Sequence, residues 1–153
     1  MDVTIRPATA ADERALLTLA SRMANFELPP WRAAEEITGA DARAMVDAVR
    51  GGHPDSQVFL AEHDGRVAGC LHMVVAQDFF GRRHAHLSVI ATSEEAEGSG
   101  VGRALMTFAD GWARDRSLPF ITLNVFAANT RARRLYERAG YTLELLKYAK
   151  DVT

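Results

Sequence analysis

Two short stretches of this chain carry residue types whose spacing could do chemistry on an anionic substrate. The first, Glu97-Gly98-Ser99-Gly100-Val101-Gly102-Arg103, opens an amphipathic helical run. A helix start leaves backbone N–H groups unpaired and carries a partial positive charge, and small residues ahead of it let an anion approach closely. Gly98, Gly100 and Gly102 give the backbone that freedom, so the segment can hold a pyrophosphate. The second stretch runs from Asn129 to Tyr141. It puts Asn129 and Tyr136 seven residues apart on a helix, and so on one face. A phenol with an ordinary pKa near ~10 stays protonated at neutral pH and can donate. Asn is a good helix cap in its own right.

Two other phosphate motifs can be tested against the glycine segment. A P-loop ends in Gly-Lys-Ser/Thr, but Gly102 is followed by Arg103 and Ala104. A dinucleotide fingerprint needs a third small residue three positions after Gly100, where Arg103 stands. Both fail. The spacing that remains, one residue, any two, Gly100, any one, Gly102, resembles the cofactor loop of the GNAT family of N-acetyltransferases, and Asn129 and Tyr136 match that family's second motif.

The resemblance implies acetyl-CoA as co-substrate and no metal. It assigns the pyrophosphate to Gly98, Ser99, Gly100, Val101, Gly102 and Arg103, and cofactor contacts to Asn129 and Tyr136. It makes Tyr136 the general acid for the leaving thiolate. It also implies that the strand before the loop, Leu87 to Thr92, parts from the next parallel strand, so that the backbone of Ile90 and Thr92 holds the pantetheine arm and thioester. One residue departs from the family pattern: Glu97 stands where Arg or Gln is usual. A carboxylate beside a pyrophosphate is repulsive unless it points away, and a loop residue is expected to point outward. Arg103, Arg131, Arg133 or Arg134 can compensate for its charge.

A base for the acceptor amine is less marked. His84 and His86 lie two apart at the start of the splayed strand and face one side. Either can accept a proton near its ordinary pKa of ~6.5, although two histidines at a turn are also an ordinary surface feature. His72 and Asn124 are further polar residues on strands of the same region. The acceptor pocket implied by the family draws on Phe26, Trp31, Phe79 and Asn124, with Met23, Glu27 and Phe80 nearby. Glu94, Glu95 and Glu97 border the loop and suit a cationic amine. A peptide N-terminus, a lysine, a polyamine, an aminoglycoside and a small amino compound all stay open as acceptors.

The elements that must position these groups follow from periodicity. A strand is expected over Val3–Arg6, a helix from about Thr9 to Met23, and a second helix from about Ala33 to Val49. Strands follow at Val58–Glu62, Val67–Ala76 and Ala85–Ala91, with hairpin turns at Asp64-Gly65 and Gly81-Arg82. A helix from about Gly100 to Arg116 has Val101, Leu105, Phe108, Ala109 and Trp112 as its apolar stripe. A strand over Pro119–Val125, a helix over Thr130–Ala139 and a last strand over Tyr141–Tyr148 complete the order. A right-handed crossover joins the parallel pair. The fold class is therefore α/β, with the resemblance implying the GNAT acyl-CoA N-acyltransferase fold: a mixed central sheet of about six to seven strands, a splayed central parallel pair and about four helices.

Composition sets the frame. The 153 residues suit one domain spanning 1–153. Net charge is −2 and the pI about 6.2, which speaks against a nucleic-acid partner. Apolar runs are too short to cross a bilayer, and the start of the chain lacks a signal-peptide pattern, so a cytoplasmic protein without a membrane partner is expected. The single cysteine, Cys70, sits in an apolar strand and should be a buried, reduced thiol. A homodimer is a further expectation from the family. Two functions compete: an acetyl-CoA-dependent N-acetyltransferase acting on a small-molecule or peptide amine, and a non-catalytic acyl-CoA-binding or regulatory module of the same fold.

Overall fold

A computed structural model describes residues 2–153. Five strands, β1 (Val3–Pro7), β2 (Ser56–His63), β3 (Arg66–Gln77), β4 (Arg83–Thr92) and β5 (Ile121–Leu123), form one sheet in sequence order. The first four are antiparallel neighbours, and β5 runs parallel to β4. Four helices cover the sheet: α1 (Glu13–Ala20), α2 (Ala34–Gly51), α3 (Val101–Asp115) and α4 (Thr130–Arg138).

Local chemistry sets the turns. The β2–β3 hairpin closes through Asp64 and Gly65, both at positive φ (52° and 75°), the geometry that favours Asp-Gly in a two-residue turn. Gly52 ends α2 in the left-handed region, φ 62°, as a C-terminal glycine does.

Strand alternation splits the core between the two faces. Phe59, Ala61, Leu71, Met73, Ala85 and Leu87 pack with Val101, Leu105, Met106, Ala109 and Trp112 of α3. Val58, Leu60 and Cys70 face the other way and pack with Leu16, Leu19 and Ala20 of α1 and Met45 of α2. Cys70 is the buried free thiol expected, and burial pushes its pKa up to about 12, so it stays protonated and inert.

One irregularity controls the site. In β4, Met73 pairs with Leu87 but His72 pairs with Val89, so Ser88 is an extra, bulged residue. Before it, Ala85 and Leu87 face α3; after it, Ile90 does, and Val89 and Ala91 face α1 and α2. The β4–β5 ladder stops at the same place, its last pair being Leu87 and Leu123. The parallel strands part from there.

The sheet has five strands where six to seven were expected, because no strand forms over Tyr141–Tyr148. Gly140, φ 96°, and the Tyr141 N–H donating to the Tyr136 carbonyl at 3.0 Å close the end of α4. Beyond that, the chain forms no ladder with the neighbouring edge strand, the three-residue β5. Leu143, Leu145, Leu146 and Tyr148 are accordingly exposed. The strand expected over Pro119–Val125 shortens to Ile121–Leu123 for the related reason that β4 bends away at Ser88.

Candidate active site

The parting of β4 and β5 opens a cleft of about 520 Å³. Ile90, Ala91 and Thr92 of β4 line it, as do Gly98, Gly100, Gly102 and Arg103 of the glycine segment and Asn129, Leu135 and Tyr136 of α4. Ser99 and Val101 are interleaved with these in the same turn. A second cleft, of about 540 Å³, lies between the C-terminal end of α3, β5 and residues 139–144 and contains none of the expected site residues.

The glycine segment forms a left-handed turn that leads into α3. Gly98 and Gly100 have φ of 76° and 91°, which side chains rarely adopt. Gly100 caps α3, and the first helical bond is the Ala104 N–H donating to its carbonyl at 3.0 Å. The amides of Val101, Gly102 and Arg103 precede that bond and lie in the helix's unpaired first turn. Gly102 sits between β4 and α4: a Cβ there would make ordinary van der Waals contact with Thr92 Cγ2 at 3.7 Å and Leu135 Cδ2 at 3.8 Å.

The bulge decides which backbone groups of β4 are free. Before it, the Ala85 N–H donates to the Phe120 carbonyl on the β5 side at 3.1 Å. After it, the Thr92 carbonyl takes the side chain of Arg22 at 2.5 Å rather than a strand partner. Alternation gives Ile90 the same outward direction as Thr92. Ile90 and Thr92, the two positions named from the family pattern, thus face the cleft without a β5 partner, the Thr92 carbonyl being held by Arg22.

On α4, Asn129 Oδ1 accepts from the Ala132 N–H at 3.3 Å and caps the helix. Tyr136 lies on the same face, half-buried against Tyr141 with ring centroids 6.1 Å apart. Burial raises its pKa above the ordinary 10.0, so the phenol keeps its proton.

The histidines sit on the opposite face of the sheet from α3, since they alternate with Ala85 and Leu87. His86 Nδ1 lies 2.8 Å from Thr122 Oγ1 on β5. Burial, then the neighbouring charge of His84, lowers its pKa below 6.5. His84 is not a surface residue: it is buried, stacks on Phe120 at 4.9 Å, and its Nδ1 is 3.1 Å from the Arg82 carbonyl. His72, buried beside Ser56 (2.9 Å), has its pKa lowered to about 4, first by burial and then by His86.

Other expected residues scatter. Phe26 lines the cleft and packs on Phe126 at 5.4 Å. Trp31, Phe79 and Asn124 are exposed and are not part of the cleft wall; Phe79 is 97% exposed at the tip of the β3–β4 hairpin. Glu97 does not point outward. Its carboxylate lies in the cleft, paired with Arg131 and 3.4 Å from Arg22. Two positive charges on separate elements hold it there. Arg22, Asn25, Arg134 and Arg138 also line the cleft. Nothing in the sequence marked Arg22, which reaches Glu97 across 75 positions of chain.

The sequence pattern of the Acetyltransferase (GNAT) family matches residues 20–141. The chain is 39% identical over 95 residues to a mycothiol acetyltransferase of Thermomonospora curvata, covering 62% of this chain and 29% of that protein. It is 33% identical over 88 residues to the 5-NmdU N-acetyltransferase of Pseudomonas phage PaMx11, covering 56% of this chain and 57% of that one. The chain thus spans less than a third of the first relative's length. Among solved structures, a ribosomal-protein-alanine N-acetyltransferase from Brucella melitensis biovar Abortus 2308 superposes with a TM-score of 0.70 at 18% identity, covering 98% of this chain and 99% of that one. AAC(6')-Iy in complex with a CoA-containing bisubstrate analog superposes with a TM-score of 0.71 at 15% identity, covering 99% of each chain. At these identities the structures speak for the fold. The family pattern, spanning both the glycine segment and the α4 motif, goes further: this chain belongs to the GNAT acetyltransferase family.

Proposed function

We propose that this protein transfers an acetyl group from acetyl-CoA to a primary amine by direct attack on the thioester. One observation carries the reading: the free helix start at Gly100, the strand edge at Ile90–Thr92 that has no β5 partner and the Tyr136 phenol line a single cleft. The glycine segment's amides take the pyrophosphate, and the outward groups of Ile90 and Thr92 pair with the pantetheine arm as an added strand would. Asn129 fixes the start of α4, and so the place of Tyr136.

Each proton then has a residue to move it. The amine nitrogen bonds to the thioester carbon, the C–S bond breaks, and Tyr136 gives its proton to the departing thiolate. Tyr136 is kept protonated by burial, which suits a donor. His86 is the base on the other face: with Nδ1–H donated to Thr122, Nε2 keeps its lone pair for the amine's proton. His84, committed to Phe120 and the Arg82 carbonyl, does not serve.

The acceptor is a small-molecule amine in this reading. Relatives named for mycothiol and 5-NmdU support that class. A second reading, a binding module without turnover, is favoured by one feature, the Glu97 carboxylate in the cleft. Purified protein mixed with acetyl-CoA and a panel of amines, followed by free-thiol release, separates the two. Release with one or more small amines supports the enzyme. Tight CoA binding with no release across a broad panel supports the module.

A further inference from the structure

Glu97 joins three elements that line one cleft. Its Oε1 pairs with Arg131 on α4. Its Oε2 is 3.4 Å from Nη2 of Arg22, in the turn after α1. The other terminal nitrogen of Arg22 donates to the Thr92 carbonyl at 2.5 Å. An anionic group held between two guanidiniums is the arrangement that a phosphate takes, because planar N–H forks match its oxygens. Here the anion is a side chain, placed one residue before the glycine segment.

We propose that the Glu97 carboxylate holds the seat of a cofactor phosphate, and that Arg22 is a phosphate-binding residue which Glu97 occupies until the cofactor arrives. This rests on reading the cleft as the acyl-CoA site. On binding, Arg22 and Arg131 exchange the carboxylate for the pyrophosphate, and Glu97 turns to solvent. Release of Arg22 also frees the Thr92 carbonyl for the pantetheine arm. No covalent bond changes in this exchange. The Glu97–Arg22 contact is long, 3.4 Å, and both side chains reach solvent, so the pair is readily traded. The pyrophosphate brings more charge and more acceptor oxygens than the carboxylate it displaces, so the exchange runs toward bound cofactor. Glu97 is therefore an internal competitor. It lowers CoA affinity and lets only a ligand with phosphates open the network.

Calorimetry on the full chain tests this with two probes, CoA and pantetheine, which lacks the phosphates. Glu97→Gln should tighten CoA by about threefold to tenfold and leave pantetheine unchanged. Arg22→Gln should weaken CoA by about tenfold, and in that background the gain from Glu97→Gln should fall below about twofold, since the two residues act on one another. The gain should also shrink at high salt. Melting temperatures of the variants check that each is folded. Weaker or unchanged CoA binding by folded Glu97→Gln overturns the inference, as does an equal gain for pantetheine or a full gain without Arg22. Those failures leave the acyl-CoA reading standing, because the wild type still binds CoA. A wild type that binds no CoA removes both.

Discussion

His86 Nδ1 and Thr122 Oγ1 are 2.8 Å apart, across the middle pair of the three-pair parallel ladder. One pair later, at Leu87 and Leu123, the ladder ends and the strands part. The hydroxyl therefore fixes the imidazole one pair before the strands part, on the face of the sheet away from α3, and neither residue is part of the cleft wall. In the proposed mechanism, acid and base then approach the thioester from opposite faces of the sheet.

The pH profile tests the base. Burial and His84 lower the His86 pKa below 6.5, so the ring is neutral at pH 7 and protonates only as pH falls further. The rate kcat/KM should drop on the acid side, with its midpoint below pH 6.5. His86→Ala should lower kcat by about a hundredfold and abolish that limb. Thr122→Val should keep the limb with a smaller loss of rate, because the ring loses only its tether. An acid limb that survives His86→Ala assigns the titration to another group.

Tyr136→Phe separates proton donation from packing. The ring against Tyr141 remains, and only the hydroxyl is lost. An interaction made as the thiolate leaves appears in kcat, so kcat should fall about a hundredfold while the Kd for acetyl-CoA changes by less than about threefold. Full turnover by Tyr136→Phe with any accepted amine would remove the acid role.

Much of this site was legible because its key parts are local. A glycine spacing, a cap and a seven-residue helical interval each lie within one short stretch, and backbone sterics translate them directly. The bulge at Ser88 was harder. Its trace in the sequence is the end of alternation: His84, Ala85, His86 and Leu87 alternate, then Val89, Ile90 and Ala91 run on as apolar residues. That trace by itself fits an ordinary buried strand equally well. The orientation of Glu97 was not legible at all. Exposure of loop residues argued for an outward side chain, but Arg22 and Arg131, brought in from the turn after α1 and from α4, outweighed that tendency. The missing last strand failed for a similar reason. The alternation over Tyr141–Tyr148 is real, but a strand needs a neighbour, and the length of β5 depends on where β4 bends.

Two glycines distinguish close approach from simple flexibility. A Cβ at Gly69 would lie 2.8 Å from the Ala91 carbonyl oxygen, 3.0 Å from Leu105 Cδ1 and 3.1 Å from Val101 Cγ1. Gly69→Ala must push α3 and β4 apart and should cost about 1–3 kcal/mol. Gly111 sits inside α3 with nothing within 4 Å of such a Cβ. Gly111→Ala should stabilise by about 1 kcal/mol through helix propensity. Urea unfolding midpoints read both, and a Gly69→Ala protein as stable as the wild type would contradict the tight packing of α3 on β3.

Asp12 ties β1 to the start of α1 and makes stability depend on acid. Arg6 Nη1 and Nη2 donate to its two carboxylate oxygens at 2.9 and 3.0 Å, and the Thr9 N–H donates at 2.7 Å. The Arg6 guanidinium, helped by Thr9 and opposed by burial, lowers the Asp12 pKa from 3.8 to about 2. A carboxylate with a depressed folded pKa contributes stability above its unfolded pKa and loses it as pH falls through the folded value. The contribution is therefore full above about pH 4 and fades toward pH 2. Arg6 is partly exposed, 37% at its side chain, so solvent screening trims the gain to about 1–2 kcal/mol. Asp12→Asn should lower stability by that amount at pH 7, and its difference from the wild type should narrow between pH 4 and pH 2. Denaturant titrations across that range check the sign. A difference that stays constant with pH would mean that the Asn variant suffers from lost cap geometry, and that the charge of Asp12 contributes nothing.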